Sequence, residues 1–526
     1  MYEYSARENR ETPSTPGSYA GPGRLEKAVS QTSNMHVDGE SDGRVVPTKG
    51  PNADDRVSAE APEGRRPTKE NTTQATAPRT QSRTSESSAL QGVREVARRD
   101  KRTRFTALLH HVTVPQLRAS FYALKREARP GVDGVTWTAY ETDLEARLPA
   151  LHGRVHQGTY RAQPSRRAYI PKPDGRQRPL GIAALEDKIV QHAVGTVLNQ
   201  IYEEEFVGFS YGFRPKRSPH HALDALWVGL MRKKVNWVLD ADIRGFFDTI
   251  DHGWLMKFVE HRVADRRILR LIQKWVRAGV SEDGEWSKTE VGTPQGAVIS
   301  PLLANIYLHY VFDLWANRWR RQHDSGDMIV VRYADDIVLG FEHRRDAERF
   351  LAGWQERLAT FGLDLHPDKT RLIEFGRDAA DHRKARGEGK PDTFDFLGFT
   401  HICGRTRKTG RFIVKRQTIR RRFSAKLAAI KEALRRRWHE PVATTGRWLR
   451  AVVQGYFNYH AVPGNMDRLN SFRAQVFWRW YRALRRRGQR RRLTWARFLR
   501  VVDAWIPSAR ILHPHPNVRF DAMHPR

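Results

Sequence analysis

Two acidic segments carry residue types and spacings suited to phosphoryl transfer. In Met328-Ile-Val-Val-Arg-Tyr-Ala-Asp-Asp-Ile-Val-Leu-Gly-Phe341, apolar runs flank Ala334-Asp335-Asp336. This pattern predicts a tight hairpin with both acids at its tip. Adjacent carboxylates repel each other and apolar flanks desolvate them, so a divalent cation is the natural compensating charge. The second segment is Val238-Leu-Asp-Ala-Asp-Ile-Arg-Gly-Phe-Phe-Asp-Thr-Ile-Asp-His252. Asp240 and Asp242 share one face of a predicted strand, because side chains alternate with period two. Asp248 and Asp251 fall at a helix start, where capping accounts for them. An acid from this strand beside the hairpin tip would hold two hard cations about 4 Å apart, clamping the attacking and leaving oxygens of a phosphoryl transfer.

Positioning such acids requires a mixed framework. Tyr169-Ile-Pro-Lys-Pro-Asp-Gly175 reads as a strand entering a turn, and Trp237–Ile243 and Met328–Tyr333 read as strands. Phe105–Leu109 and Leu117–Leu124 show helical apolar spacing before a turn at Pro130-Gly131. Leu303, Ile306, Tyr310 and Leu314 draw one helical stripe, read as core. Beyond residue 415 the pattern turns helical. Phe423, Leu427, Ile430, Leu434 and Trp438 draw a first stripe; Leu449, Val452 and Tyr456 a second; Leu469, Phe472, Val476, Trp480 and Leu484 a third.

The chain of 526 residues has 92 Lys plus Arg against 59 Asp plus Glu, a formal net charge of +33. That excess favours a polyanionic partner, nucleic acid before membrane, since no apolar run reaches spanning length. Nothing at the N-terminus has the pattern of a signal peptide. Cys403 is the single cysteine, which excludes intrachain disulfides and multi-cysteine zinc sites. The pairs His110-His111 and His220-His221 are read as structural or RNA-facing, because adjacent residues point in different directions. Residues 1–95 are rich in Ser, Thr, Pro, Gly, Glu and Arg, a composition that predicts a disordered polar leader.

Several further segments now bear on the acids. Tyr333-Ala-Asp-Asp336 resembles the signature of reverse transcriptase palm domains, and Gly292-Thr-Pro-Gln-Gly-Ala-Val-Ile-Ser-Pro-Leu-Leu-Ala-Asn-Ile-Tyr-Leu308 resembles the template-side motif that precedes it. Ile170–Ile182, Phe206–Pro215, Leu365–Thr370 and Phe396–Phe399 resemble the family's remaining motifs in the order of group II intron reverse transcriptases. Gly455-Tyr-Phe-Asn-Tyr-His460 resembles a motif of the maturase domain. The resemblance implies an α+β right-hand polymerase: fingers at 96–235, palm at 236–405, an all-α thumb or maturase domain at 406–505 and a tail at 506–526.

The resemblance also implies roles. Asp242, Asp335 and Asp336 would be the catalytic acids, holding two Mg2+ ions (Mn2+ able to substitute) together with the Ile243 carbonyl. Lys172 and Arg178 would grip the incoming triphosphate, and Phe247 would act as a steric gate against ribose. Gln295 and Gly296 would lie beside the template–nucleotide pair, and Lys369 resembles the lysine that protonates departing pyrophosphate. The partners implied are the host intron RNA, an RNA template with DNA primer, a DNA target and dNTPs, in a bacterial cytoplasmic, nucleoid-associated ribonucleoprotein that assists splicing and copies RNA into DNA for retrohoming. A polymerase-inactive splicing factor and a domesticated reverse transcriptase serving defence or diversification stay open as alternatives. Many relatives carry a His- and Cys-ligated DNA-cutting domain, and no cysteine cluster suggests one here. Mobility would then use a target opened or nicked by other means.

The helical end is basic without acids. Arg479, Arg482, Arg485, Arg486, Arg487, Arg490, Arg491 and Arg492 are interleaved with Trp478, Trp480, Tyr481 and Trp495. Guanidinium groups grip phosphates and aromatics offer stacking platforms, so the segment predicts nucleic-acid binding.

Overall fold

A computed structural model of the chain describes residues 79–171, 177–282, 285–287, 291–293, 296–487 and 494–524. The fold is α+β, and among the described residues three small sheets lie between the helices. The central sheet contains β3 (Trp237–Asp242), β6 (Met328–Tyr333), β7 (Asp336–Phe341) and β8 (Arg371–Glu374), in the order β6-β7-β3-β8 with every neighbour antiparallel. Its apolar residues alternate between two cores. Val330, Leu339 and Leu239 enter one core with Phe350 and Trp354 of the Arg344–Ala359 helix. Val331, Val338 and Val238 enter the other with Leu223 and Leu226 of the Pro219–Arg232 helix. Covering both faces explains why β6 and β7 are near-continuous Val, Ile and Leu.

A second sheet joins β1 (Ser165–Pro171), β2 (Gln177–Ile182), β4 (Val280–Glu282) and β5 (Glu285–Ser287) in the order β2-β1-β4-β5. The third, β9 (Phe394–Phe396), β10 (Phe399–Arg405) and β11 (Phe412–Thr418), is ordered β11-β10-β9. Helices Arg420–Arg436, Val442–His460 and Met466–Arg485 then share a core of Leu427, Ile430, Leu449, Phe472, Val476 and Trp480, with Trp480 fully buried. The three expected stripes therefore form a bundle.

Several expectations change. Helix Arg79–Arg99 crosses the leader boundary expected at 95, because Val93 and Ala97 are buried and Arg94 and Arg98 pair with Glu204. Residues 1–78 lie outside the described residues. Phe105 is not helical: it forms a parallel bridge with Val263, and the Leu108 and Leu109 amides donate to the Asp265 carboxylate. β11 falls inside the segment expected to be all-helical, since the β10–β11 hairpin continues past residue 405. Trp438 lies beyond the helix that ends at Arg436.

The stripe Leu303, Ile306, Tyr310, Leu314 also breaks. Leu303 and Ile306 are buried, but Leu314 is 43% exposed. Residues His309–Asp313 form a π-helical turn, whose extra residue shifts the inward face. Phe312 and Asp313 are fully buried instead.

Candidate active site

The central sheet assembles the acids through its register. β3 lies between β7 and β8, and Asp242, the last residue of β3, stands directly opposite Asp336, the first of β7. Asp336 is also paired with Tyr333, leaving Ala334 and Asp335 as a two-residue hairpin loop. Alternation puts Asp240, Asp242 and Asp336 on the face that carries Val238 and Val338. The predicted hairpin thus forms, and sheet order brings its tip to the end of the first acidic strand. Ala334 has φ +57°, a region L-residues avoid at a cost of about 1–2 kcal/mol.

The acids crowd one another. Burial raises the Asp335 pKa above the ordinary carboxylate range and Asp242 raises it further, while Arg178 and Lys369 oppose the shift. Asp336 is likewise pushed up, by burial and then by Asp335 and Asp242, against Arg422. Its side chain is exposed to solvent although protein atoms crowd around it. Asp242 pairs with the Lys369 ammonium. Asp240, which contacts Arg371 at 3.4 Å, is pushed up to about 6, chiefly by burial.

Among the described residues no group of three or more His, Cys, Asp or Glu converges as a ready-made metal cage, and Asp242 turns to Lys369 instead. The donor set nonetheless fits a hard divalent cation: carboxylate oxygens, mutually repelled and drawing in two cationic side chains. Ile243 pairs with Leu365 in an isolated antiparallel bridge, flanked by the bonds Arg244 N to Asp364 O (2.9 Å) and His366 N to Asp242 O (2.8 Å). Ile243 therefore occupies the non-hydrogen-bonded position, so that bridge does not use its carbonyl.

Phe246 is buried and Phe247 only half-buried, with ring centroids 5.4 Å apart. The Phe247 carbonyl accepts from Thr293 N at 2.8 Å, docking the template-side motif beside the acidic strand. Gly292 must be glycine there: its φ is +90° and a Cβ would lie 2.9 Å from the Phe247 carbonyl oxygen. Gly296 has φ +113°, and a Cβ would meet the Gly181 carbonyl of β2 at 2.8 Å, so its close backbone approach is to the protein itself. Arg178 is exposed on β2 and acts electrostatically on Asp335. Asp251 caps helix His252–Glu260 by accepting from Trp254 N at 2.7 Å, as expected. Lys172, Gln295, Arg490, Arg491 and Arg492 lie outside the described residues.

The basic end divides. Arg482, Arg485 and Arg486 are exposed. Arg479 bonds its own helix through Gln475. Arg487 donates to the carbonyls of Arg437 and Glu440 at 2.7 Å each, fixing the chain beyond helix Arg420–Arg436. Trp478 and Trp495 are 47% and 40% exposed and stack with centroids 4.8 Å apart.

Sequence reading missed a buried network behind the acidic turn, centred on Arg332 and Asp313. One signal was available: an arginine inside an apolar run of a central strand must find a partner. It also missed Arg422, which sits beside the site at the start of its helix.

The reverse transcriptase (RNA-dependent DNA polymerase) family profile matches residues 170–401. Protein YkfC of Escherichia coli K12 is 33% identical over an alignment 375 positions long, which covers 63% of this chain and 92% of that protein. The group II intron-encoded protein LtrA of Lactococcus lactis is 37% identical over 233 residues, 43% of this chain but only 38% of LtrA. A putative COX1/OXI3 intron 1 protein of Saccharomyces cerevisiae is 34% identical over an alignment 274 positions long, which covers 43% of this chain and 32% of that protein. With the motifs in order and the acids opposed in register, the chain belongs to the group II intron reverse transcriptase/maturase family.

Proposed function

We propose that this chain is an RNA-directed DNA polymerase that binds its host group II intron RNA, assists its splicing and copies it into DNA for retrohoming. The observation that carries the reading is the pairing of Asp242 with Asp336 across adjacent strands, with Asp335 in the turn between β6 and β7. In this reading the segments 96–235 and 236–405 serve as fingers and palm, with the β10–β11 hairpin carrying the palm on to residue 418, and the helices beyond it to residue 505 serve as thumb. Asp242, Asp335, Asp336 and the Ile243 carbonyl would hold two divalent cations, Mg2+ by preference. When bound, such ions activate a primer 3′-hydroxyl and neutralise charge on the triphosphate.

The protein's own groups do the rest. Arg178, with Lys172, binds and orients the triphosphate of a dNTP through charge-assisted hydrogen bonds. Phe247 presents its half-buried ring to the sugar and excludes a 2′-hydroxyl. Gln295 and Gly296 line the template side of the new base pair. Lys369, which pairs with Asp242, would give a proton to departing pyrophosphate. Arg482, Arg485 and Arg486 grip RNA phosphates beside the Trp478–Trp495 stack. Among the described residues no helix is long and apolar enough to cross a membrane. Extension of a DNA primer on an RNA template tests the polymerase half of the reading. Splicing of the cognate intron at low magnesium, with and without protein, tests the maturase half. A folded protein that accelerates splicing but extends no primer would sink the polymerase half and leave an RNA-binding splicing factor.

A further inference from the structure

Arg332 stands three residues before Asp335, and alternation along β6 turns its side chain away from the face that carries Asp242 and Asp336. It is completely buried, as is Asp313. Its guanidinium makes five hydrogen bonds. Nε and Nη2 form a fork on the Asp313 carboxylate, with Nε to Oδ1 at 2.7 Å; Nη1 donates to Asn305 Oδ1 at 2.9 Å and to the Ala334 carbonyl at 3.1 Å; Nη2 donates to Ser210 Oγ at 2.7 Å. Asn305 in turn donates to the Gly212 carbonyl at 2.7 Å.

The segment bearing Ser210 and Gly212 runs along the edge of β6, with Tyr211 N to Arg332 O at 2.8 Å and Arg332 N to Phe209 O at 2.9 Å. Gly212 abuts the turn: a Cβ there would lie 2.2 Å from Ala334 N. The acidic turn is therefore held from behind by one side chain and from the edge by a glycine backbone. Two-residue hairpins ordinarily place Gly, Asn or Asp where Ala334 has its positive φ. Here an alanine is kept in that conformation. The π-helical turn His309–Asp313 belongs to the same device, because the residue it adds turns Asp313 inward beneath the hairpin.

We propose that Arg332, Asp313 and Asn305 form a positioning clamp that sets the Ala334–Asp335 turn, and with it the placement of Asp335 against Asp242 and Asp336 on which cation binding depends. The inference rests on the polymerase reading above. A planar guanidinium reaches Asp313, Asn305, Ser210 and Ala334 at once, and an ammonium does not. Apolar residues would fill the same volume with less desolvation, and buried ion networks of this kind are best attested where they fix one arrangement.

The test uses the full chain carrying Arg332→Lys or Asn305→Ala. Single-dNTP incorporation is followed against magnesium concentration, and RNA affinity and thermal unfolding are measured alongside. Arg332→Lys should lower turnover about a hundredfold, the size expected when a catalytic group is misplaced by about 1 Å. It should also raise the magnesium midpoint while KM for dNTP and RNA affinity stay near wild type. Asn305→Ala removes the bonds to Arg332 and to the Gly212 carbonyl but leaves Arg332 paired with Asp313, and should move the same two quantities in the same direction by less. If Arg332→Lys does not fold, the double variant Arg332→Met/Asp313→Leu takes its place, since it buries no unpaired charge. A folded variant with wild-type turnover and magnesium midpoint overturns the clamp alone. An inactive wild type overturns the polymerase reading and the clamp together.

Discussion

At the end of the central sheet, Asp242 and Asp336 are locked opposite each other by strand register, and the turn between β6 and β7 is bonded by Arg332 and closely abutted by Gly212. On the Met466–Arg485 helix and the turn after it, Arg482, Arg485 and Arg486 stand exposed, with an exposed tryptophan stack nearby. The first region over-determines a few atoms, and the second spreads charge over a surface. Geometry-dependent chemistry fails when one atom moves, whereas phosphate binding is a sum of similar, salt-screened contributions. Single substitutions should therefore act steeply in the first region and gradually in the second.

The steepest case is Asp242→Ala. Losing a cation ligand removes several kcal/mol of charge stabilisation, so incorporation should fall about a thousandfold or more, measured as single-turnover nucleotide addition. In the helical bundle, Trp480→Ala should cost about 3–5 kcal/mol, because its ring is fully buried and leaves a cavity. Trp478→Ala should cost only about 1 kcal/mol in denaturant unfolding, because its half-exposed ring loses chiefly the stack on Trp495. Its main effect should appear as weaker RNA binding. A large loss of stability in Trp478→Ala would erase the contrast between the two tryptophans.

Phe247→Ala should reduce discrimination between dNTPs and rNTPs by about a hundredfold, the size of selection a shaped apolar contact makes against one hydroxyl. Unchanged discrimination with intact dNTP turnover would remove Phe247 from that role. The smallest effects belong to the arginines. Arg482→Gln, Arg485→Gln and Arg486→Gln should each reduce the slope of log affinity against log salt by about one. Arg487→Gln should leave that slope alone and lower stability by about 1 kcal/mol, because its fork holds the Arg437 and Glu440 carbonyls. A salt slope altered by Arg487→Gln and by none of the other three would invert this division.

What could be read before folding follows the range of the interactions. The acids, the hairpin, Phe246 against Phe247 and the three bundle stripes depend on neighbours within a few residues, and local pattern captures them. The pairing of Asp242 with Asp336 joins strands far apart in the chain, so sequence supports it only through the order of motifs. Leu314 was misplaced because one π-helical turn shifts the helical phase, and no periodicity signals the inserted residue. Arg487 looked like its neighbours because composition cannot tell an exposed guanidinium from one bonded to two carbonyls. Arg332 inside an apolar strand signals that a partner is needed, but which partners is as illegible as the sheet order: Ser210, Asn305 and Asp313 come from separate stretches of chain.

The central claim is that the three aspartates form a cation-dependent polymerase site. It is met most directly by dNTP incorporation on an RNA template with a DNA primer in magnesium, comparing wild type with Asp335→Ala at matched RNA affinity. The account predicts extension by the wild type and loss of it in the variant, with RNA binding retained by both. Equal extension by the two proteins, or none by a folded wild type that binds RNA, would contradict it.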